Sequence, residues 1–489
     1  MLNFRMSEAR ISFVADVFAD IQNSEFKTQN SPRSLRVFAF QKIQINRPRH
    51  SCIPNAKFKI HHAKFRFHSP AAPCVPPTVQ DTKWWREYTE LAVLFFLHAM
   101  AMGMWFVPLG SVLDAAGYGD VHLLGLAVSV KALAFAASGI SAFISPLIFG
   151  ALADQRVAPV RLLRLLALGT GLAMMLASTA IKLHASAAVV LVLIQLHALF
   201  STPTWSISTT IVFARLADAR REFGPLRAMA TVGWIVGCLI ISALGADRTP
   251  LAGYTGALVW LAVFLFSFTL PTVAPASSPE HLNWKQRLGL DALSLLRNRD
   301  HRVVFIVAAL YNIPLCAFYP YSPKHLQDLG LDHTSAWMTL GQITEVIAMF
   351  SLAGVLTRWR LKPIFLTAIG FGVLRYGLCA FDGKGWLLAG ITMHGFAFAL
   401  FFITVQIYLE QRIEAAWRAR AQALFTLMYS GFGNTLGYLG CGWWFAASTS
   451  GNVTHWPLFW GGLAASVAVV FIVFAFAYKG RRSATAGQW

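Results

Sequence analysis

The chain has 489 residues, of which 56% are hydrophobic and 13% are charged. An ordinary soluble domain carries about 25% charged residues, so this composition excludes a soluble enzyme or a soluble binding module. The formal net charge of +19 does not indicate nucleic-acid binding. Outside the N-terminal region, the basic residues mostly lie between apolar runs, as they do in membrane proteins.

Residues 1–83 precede the first apolar run and form a segment of their own. Residues 1–86 contain 14 Lys and Arg against 5 Asp and Glu, and no signal peptide is apparent. Two interpretations are open. The segment is either a disordered basic tail that is attracted to anionic lipid, or the product of a start site assigned too early, with the native protein beginning near Thr82.

Apolar runs of about twenty residues then follow one another, which is the length of a helix that crosses the hydrocarbon core. Because lipid offers no water to the backbone, such runs must be helices that satisfy their own polar groups. The sequence therefore predicts an all-α integral membrane protein with twelve transmembrane helices. The predicted spans are residues 88–113, 123–151, 160–180, 186–213, 227–246, 252–272, 301–322, 335–356, 362–380, 386–410, 420–446 and 457–478.

The spacing of these runs divides the chain. Six runs occupy residues 84–273, a polar linker follows at 274–300, and six more runs occupy 301–480, before a short cytoplasmic tail at 481–489. This arrangement is typical of transporters that consist of two similar six-helix halves.

The distribution of Lys and Arg predicts the orientation of the spans. With both termini in the cytoplasm, the inside loops carry 21 basic residues and the outside loops carry only four, namely Lys182, Arg248, Lys324 and Lys384. Because basic residues are enriched in cytoplasmic loops, we expect a multi-pass protein of the bacterial inner membrane with both termini inside.

No catalytic motif is apparent in the sequence. It contains no nucleophile elbow, no zinc-protease motif, no Walker lysine and no dinucleotide-binding turn. We therefore predict that the protein is not an enzyme and that it uses no cofactor and no metal.

Ionisable residues inside spans are costly in hydrocarbon, so they are expected to face a cavity or a partner. Helical spacing places several of them on a common face with polar or aromatic side chains. A carboxyl, an amide and aromatic rings together suit a small polar solute that contains a ring. The groups are Arg227, Thr231 and Trp234; Gln342 and Glu345; and His394 and Phe398.

Structural alternatives exist for most of these residues. Arg227 also fits a positive-inside boundary, and Trp234 and Phe398 also fit packing or lipid contact. Two further charged residues have open roles. Lys131 either pairs with a carboxylate or extends to the membrane–water interface. Arg375 either neutralises Glu345 between helices, which is a structural role, or has a functional role.

Several stretches of the chain together resemble the nucleoside–proton symporters of the major facilitator superfamily. The resemblance covers about four-fifths of the sequence, from Trp84 to Lys479. The stretches are GALAD (150–154), EFGPLRAMATVGW (222–234), LGLDALSLLRNRD (288–300), GQITE (341–345), LRYGL (374–378) and RARAQALFTLMYSGFG (418–433).

The resemblance implies a nucleoside site formed by Arg227, Thr231, Trp234, Gln342, Glu345 and Phe398. Trp234 replaces a phenylalanine of the family, and His394 replaces a tyrosine. The chain also departs from the family in two places. Ala399 stands where well-studied members carry an aspartate, and the glutamine–asparagine pair of span seven is missing, so that Tyr319 is the best substitute contact.

The resemblance further implies proton-coupled nucleoside uptake by alternating access. With Ala399 in place of the aspartate, the candidate proton carriers are Glu345 and His394. The alternatives are a carrier or facilitator for another small polar solute, such as a sugar, and a non-transporting sensor with a carrier fold. The expected partners are a nucleoside, protons and the lipid bilayer, without nucleic acid, and we expect a monomer.

Overall fold

The structure is a computed structural model that describes residues 81–480, apart from 124, 155–156, 217–218, 274–282 and 357–358. The N-terminal segment 1–80 and the tail 481–489 lie outside the described residues, and so do residues 274–282 of the predicted linker.

The first part of the described chain is helical except for one small hairpin. Its elements in chain order are α1 (Asp81–Phe106), α2 (Leu109–Ala115), β1 (Asp120–Leu123), β2 (Leu126–Ser129), α3 (Val130–Asp154), α4 (Pro159–Lys182), α5 (Ala187–Phe213), α6 (Ala219–Ala243) and α7 (Leu251–Phe266). The antiparallel strands β1 and β2 pair Val121 with Val128.

The second part begins with two short elements, α8 (Trp284–Arg287) and a 3₁₀-helix (Leu290–Arg297). The long helices then follow, and a two-residue hairpin precedes the last one. The elements are α9 (Arg299–Leu315), α10 (Phe318–Asp328), α11 (Thr334–Leu356), α12 (Leu361–Cys379), α13 (Lys384–Thr392), α14 (His394–Arg412), α15 (Ala415–Thr426), a π-helix (Leu427–Gly433), α16 (Asn434–Ala447), β3 (Thr449–Ser450), β4 (Val453–Thr454) and α17 (Trp456–Ala477).

Local sequence explains where several of these helices start. Pro159 opens α4 at a position where its missing N–H costs nothing. The side chain of Asn298 accepts hydrogen bonds from the backbone N–H groups of Asp300 and His301 and so caps α9. Asn283 and Gln286 form a reciprocal capping box on α8.

Nine helical segments in the part of the chain that the structure describes are long and apolar enough to cross a membrane. This finding confirms the predicted class, a mostly helical protein with many spans. Several predicted spans differ from the helices in detail, and the tenth is divided between α13 and α14. The helix of the second begins at Val130 rather than at 123, because residues 120–123 pair with residues 126–129 as a hairpin. The eleventh is interrupted by the π-helix at Leu427–Gly433.

Glycines allow the helices that carry the predicted site to approach closely. A Cβ at Gly395 of α14 would overlap the backbone of Thr344 and Glu345 in α11, and a Cβ at Gly233 of α6 would overlap the backbone of Phe96 in α1. Only glycine fits such contacts. The two close approaches hold α11 against α14 and α1 against α6 at the level of the candidate site.

Candidate substrate-binding site

An ion pair joins α6 to α11. Nη2 of Arg227 lies 4.0 Å from Oε1 of Glu345, and the carboxylate is nearly buried. Nη1 of Arg227 also donates a 3.5 Å hydrogen bond to Oγ1 of Thr231, one turn along the same helix. The guanidinium lies 4.8 Å from the ring centroid of Trp205 in α5, a cation–π distance. Three helices therefore fix the Arg227 side chain beside the carboxylate.

Tyr319, near the start of α10, is the central contact of the site. Its hydroxyl accepts a 3.1 Å hydrogen bond from Nε2 of Gln342. Its ring centroid lies 5.8 Å from that of Trp234 and 5.2 Å from that of Phe106. It also faces His394 edge-on at 6.1 Å. The Tyr319 ring therefore connects side chains of α1, α6, α11 and α14.

A stack of rings forms a second wall of the site. The imidazole of His394 lies nearly parallel to Phe318, with ring centroids 3.8 Å apart, and to Phe398, with centroids 5.7 Å apart. Nη1 of Arg375 donates to Nδ1 of His394 over 2.7 Å. Parallel aromatic faces of this kind can stack on a planar base.

Two buried polar atoms in this region have no hydrogen-bond partner among the described residues. They are the amide oxygen of Gln342, an acceptor, and the indole nitrogen of Trp234, a donor. Leaving such groups unpaired costs about 1–3 kcal/mol each. An acceptor and a donor without protein partners, beside stacked rings, are the groups that a polar ring-bearing solute would satisfy.

The structure places all eight predicted site residues in one contact network. Arg227, Thr231 and Glu345 form its polar end. Gln342, one turn from Glu345 on α11, donates a hydrogen bond to Tyr319. The ring of Tyr319 contacts those of Trp234 and His394. His394 in turn stacks on Phe398. Trp205, Phe106 and Phe318 also belong to the network. Sequence reasoning missed these three because an aromatic residue in an apolar run carries no signal that separates it from packing or lipid contact.

Two charged residues have partners that the sequence left open. Arg227 neutralises Glu345, whereas Arg375 contacts His394 and makes no ion pair among the described residues. The suggestion that Arg375 neutralises Glu345 is therefore wrong, because α12 presents the guanidinium to α14 and not to the carboxylate. Lys131 pairs with Asp114, with Nζ 2.6 Å from Oδ2.

Within the described ranges, no group of three or more His, Cys, Asp or Glu side chains could hold a metal ion. The site instead combines one ion pair, two unpaired polar atoms and stacked rings among membrane-spanning helices. Such a set of groups, carried by several helices of a multi-pass membrane protein, is typical of a site for a small polar solute.

Residues 87–483 match the family model described as nucleoside H⁺ symporter. The chain belongs to this family, as its motifs predicted. The matched relatives carry the names of transporters and permeases, which confirms the prediction of a transporter rather than an enzyme.

Three relatives from Escherichia coli K12 match this chain over nearly their whole length. The putative nucleoside transporter YegT is 27% identical over 411 residues, which cover 80% of this chain and 93% of that protein. The nucleoside permease NupG is 26% identical over 421 residues, covering 82% and 98%. The xanthosine permease is 26% identical over 409 residues, covering 80% and 95%.

Two crystal structures of the nucleoside transporter NupG share the fold. A single-residue variant superposes with a TM-score of 0.73 at 24% identity, covering 80% of this chain and 100% of that one. The other structure superposes with a TM-score of 0.69 at 23% identity, covering 80% and 99%. These likenesses establish that the helices of this chain are arranged as in that transporter.

Proposed function

We propose that the protein is a secondary transporter that imports a nucleoside together with a proton by alternating access. Membership of the nucleoside H⁺ symporter family supports this function. The observation that carries it at the level of residues is the Tyr319 network. There the amide oxygen of Gln342 and the indole N–H of Trp234 are buried without partners beside stacked rings, close to the pair of Arg227 and Glu345.

We further propose twelve spans in two six-helix halves, residues 84–273 and 301–480, joined by the linker 274–300. The nine long apolar segments and the apolar 16-residue helix α7 supply ten spans. Helix α11, and α15 to α16 with the π-helix between them, supply the other two. The excess of basic residues in alternate loops supports cytoplasmic termini. One chain holds the whole site, which supports a monomer.

Each part of the site has a proposed task. The rings of Trp234, Tyr319 and Phe398 stack on the base. The free oxygen of Gln342 accepts from the substrate, and the free N–H of Trp234 donates to it. Glu345 takes up the proton, because a carboxyl inside a span that pairs with an arginine can exchange that partner for a proton during the cycle. Glu345 would then take over the role of the aspartate that family members carry at the position of Ala399.

The proposed function is tested by uptake of labelled nucleosides into proteoliposomes that contain the purified protein. We expect saturable uptake of uridine or adenosine that an inward proton gradient stimulates. A panel of sugars, assayed with and without the same proton gradient, serves as the control. Nucleoside uptake without gradient dependence would contradict symport, and transport of a sugar but of no nucleoside would contradict the substrate class.

A carboxylate latch, formed by Asp247, joins the two proposed halves at the end that would face outside if both termini are cytoplasmic. Oδ1 of Asp247, after α6, accepts a 2.7 Å hydrogen bond from the backbone N–H of Ser335 and a 3.0 Å bond from Oγ of Ser242. Oγ1 of Thr334 adds a 3.4 Å bond to the same oxygen. Asp247 therefore caps the N-terminus of α11 from the other half.

Asp247→Ala is expected to favour the outward-open state. Losing a helix cap costs about 1 kcal/mol, which shifts a two-state equilibrium about fivefold. The measurement is labelling from outside, by an impermeant thiol reagent, of a cysteine introduced at Phe106 after replacement of the native cysteines. Asp332→Ala changes an exposed acid nearby and should leave labelling unchanged. Equal labelling in both variants would contradict the latch.

A further inference from the structure

Arg375 in α12 is a buried cation that the proposed transport steps do not use. It is only 1% exposed and has no carboxylate within ion-pair distance in the part of the chain that the structure describes. Its neighbours are Nδ1 of His394 at 2.7 Å and the ring faces of Phe318 at 4.6 Å and Tyr376 at 4.4 Å. Because burying a charge costs desolvation free energy, a buried guanidinium is expected to have a specific partner.

The hydrogen bond between Arg375 and His394 determines where the imidazole carries its proton. A guanidinium has only donors, so Nδ1 of His394 must accept with its lone pair. The single proton of the neutral ring is then on Nε2. A second proton would set donor against donor over 2.7 Å and place two positive charges together between two buried side chains.

Among the residues that the structure describes, no other group that faces His394 offsets this repulsion. The titratable side chains around it are Tyr319 from α10, whose ring centroid is 6.1 Å away, and Glu345 from α11, whose carboxylate pairs with Arg227. Phe318 and Phe398 both lie nearly parallel to the imidazole, at centroid distances of 3.8 and 5.7 Å, and fix its plane. Nε2 has no hydrogen-bond partner among the described residues, so its proton remains available.

We propose that Arg375 is a positioning residue that holds His394 as a neutral imidazole protonated on Nε2, so that His394 donates a hydrogen bond to the substrate and does not carry the coupling proton. The inference rests on the proposed function for the identity of the acceptor, a ring or sugar oxygen or a ring nitrogen of a nucleoside. It assigns coupling to Glu345 alone of the two candidate residues.

The tautomer can be measured without reference to transport. The protein contains 14 histidines; in ¹⁵N-histidine-labelled protein in nanodiscs, the His394 signals are assigned by their loss in His394→Gln. We expect an unprotonated Nδ1 and a protonated Nε2 throughout the range from roughly pH 5 to 8 in which histidines commonly titrate. A doubly protonated ring within this range, or a proton on Nδ1, would overturn the proposal even if no nucleoside were transported.

Transport variants give a second, independent readout. His394→Phe should raise the nucleoside KM about tenfold or more. His394→Gln should raise it less, because an amide can both accept from Arg375 and donate to the substrate, and its uptake should still respond to the proton gradient. Loss of the gradient response in His394→Gln, with KM unchanged, would identify His394 as the proton carrier and overturn the proposal.

Removing the guanidinium should change the pH profile. In Arg375→Gln the imidazole is released from the cation, so that KM should acquire a dependence on pH between roughly pH 5 and 8. Arg375→Lys keeps the charge and one donor and should retain the profile of the unaltered protein. A purely structural role would lower the yield of both variants without creating this pH dependence, and that result would contradict the positioning role.

Discussion

Glu345→Gln is expected to abolish the accumulation of nucleoside against its gradient. One pH unit across the membrane corresponds to about 1.36 kcal/mol per proton, enough for about tenfold accumulation through one coupled proton. A glutamine at 345 keeps the shape and hydrogen-bonding groups of the side chain but cannot take up a proton. Exchange of labelled for unlabelled nucleoside should therefore remain measurable, while the accumulation ratio falls to about one. Proteoliposomes with an imposed pH gradient measure both quantities.

Two controls separate coupling from stability in this experiment. Glu410→Gln removes an exposed acid that pairs with Arg418 at the end of α14, and accumulation should be unchanged. Glu345→Gln leaves Arg227 without its partner; breaking a buried ion pair costs about 3–5 kcal/mol, less here because Arg227 is partly exposed. Adding Arg227→Gln should restore thermal stability but not accumulation. Full accumulation by Glu345→Gln would place the coupling proton elsewhere.

Gly395→Ala is expected to damage both stability and substrate affinity. The added methyl group would meet the backbone of Thr344 and Glu345, which cannot move aside as a flexible side chain can. Overpacking of this kind costs about 1–3 kcal/mol. The displacement of α14 from α11 would also separate His394 from the Tyr319 network. Thermal unfolding in detergent should show a lower Tm, and uptake should show a higher KM.

Gly377→Ala is the matched control for this substitution. Gly377 also lies in a helix, α12, but a Cβ there meets no atom within 4 Å. Alanine is the better helix former by about 1 kcal/mol, so Tm should stay the same or rise and KM should not change. Equal behaviour of the two variants would show that the contact between α11 and α14 is less tight than the structure indicates.

Much of the candidate site follows from local sequence periodicity. Arg227 and Trp234 are predicted to share a helix face, as are Gln342 and Glu345, because a helix of about 3.6 residues per turn brings residues at these spacings to the same side. The resemblance to the family then implied that these faces contribute to a common site. What periodicity cannot predict is which face meets which, and Arg375 illustrates this. It lies in a span like Glu345 but on a helix that contacts His394 instead.

The sequence by itself therefore determined the helical membrane class and the family, because the length of apolar runs and the family motifs are properties of contiguous residues. The tertiary structure alone decided that Arg227 is the partner of Glu345, that Trp205 and Phe318 contact residues of the candidate site, and that residues 120–123 pair with residues 126–129. These features depend on contacts between segments far apart in the chain, and such contacts are set by the packing of whole helices.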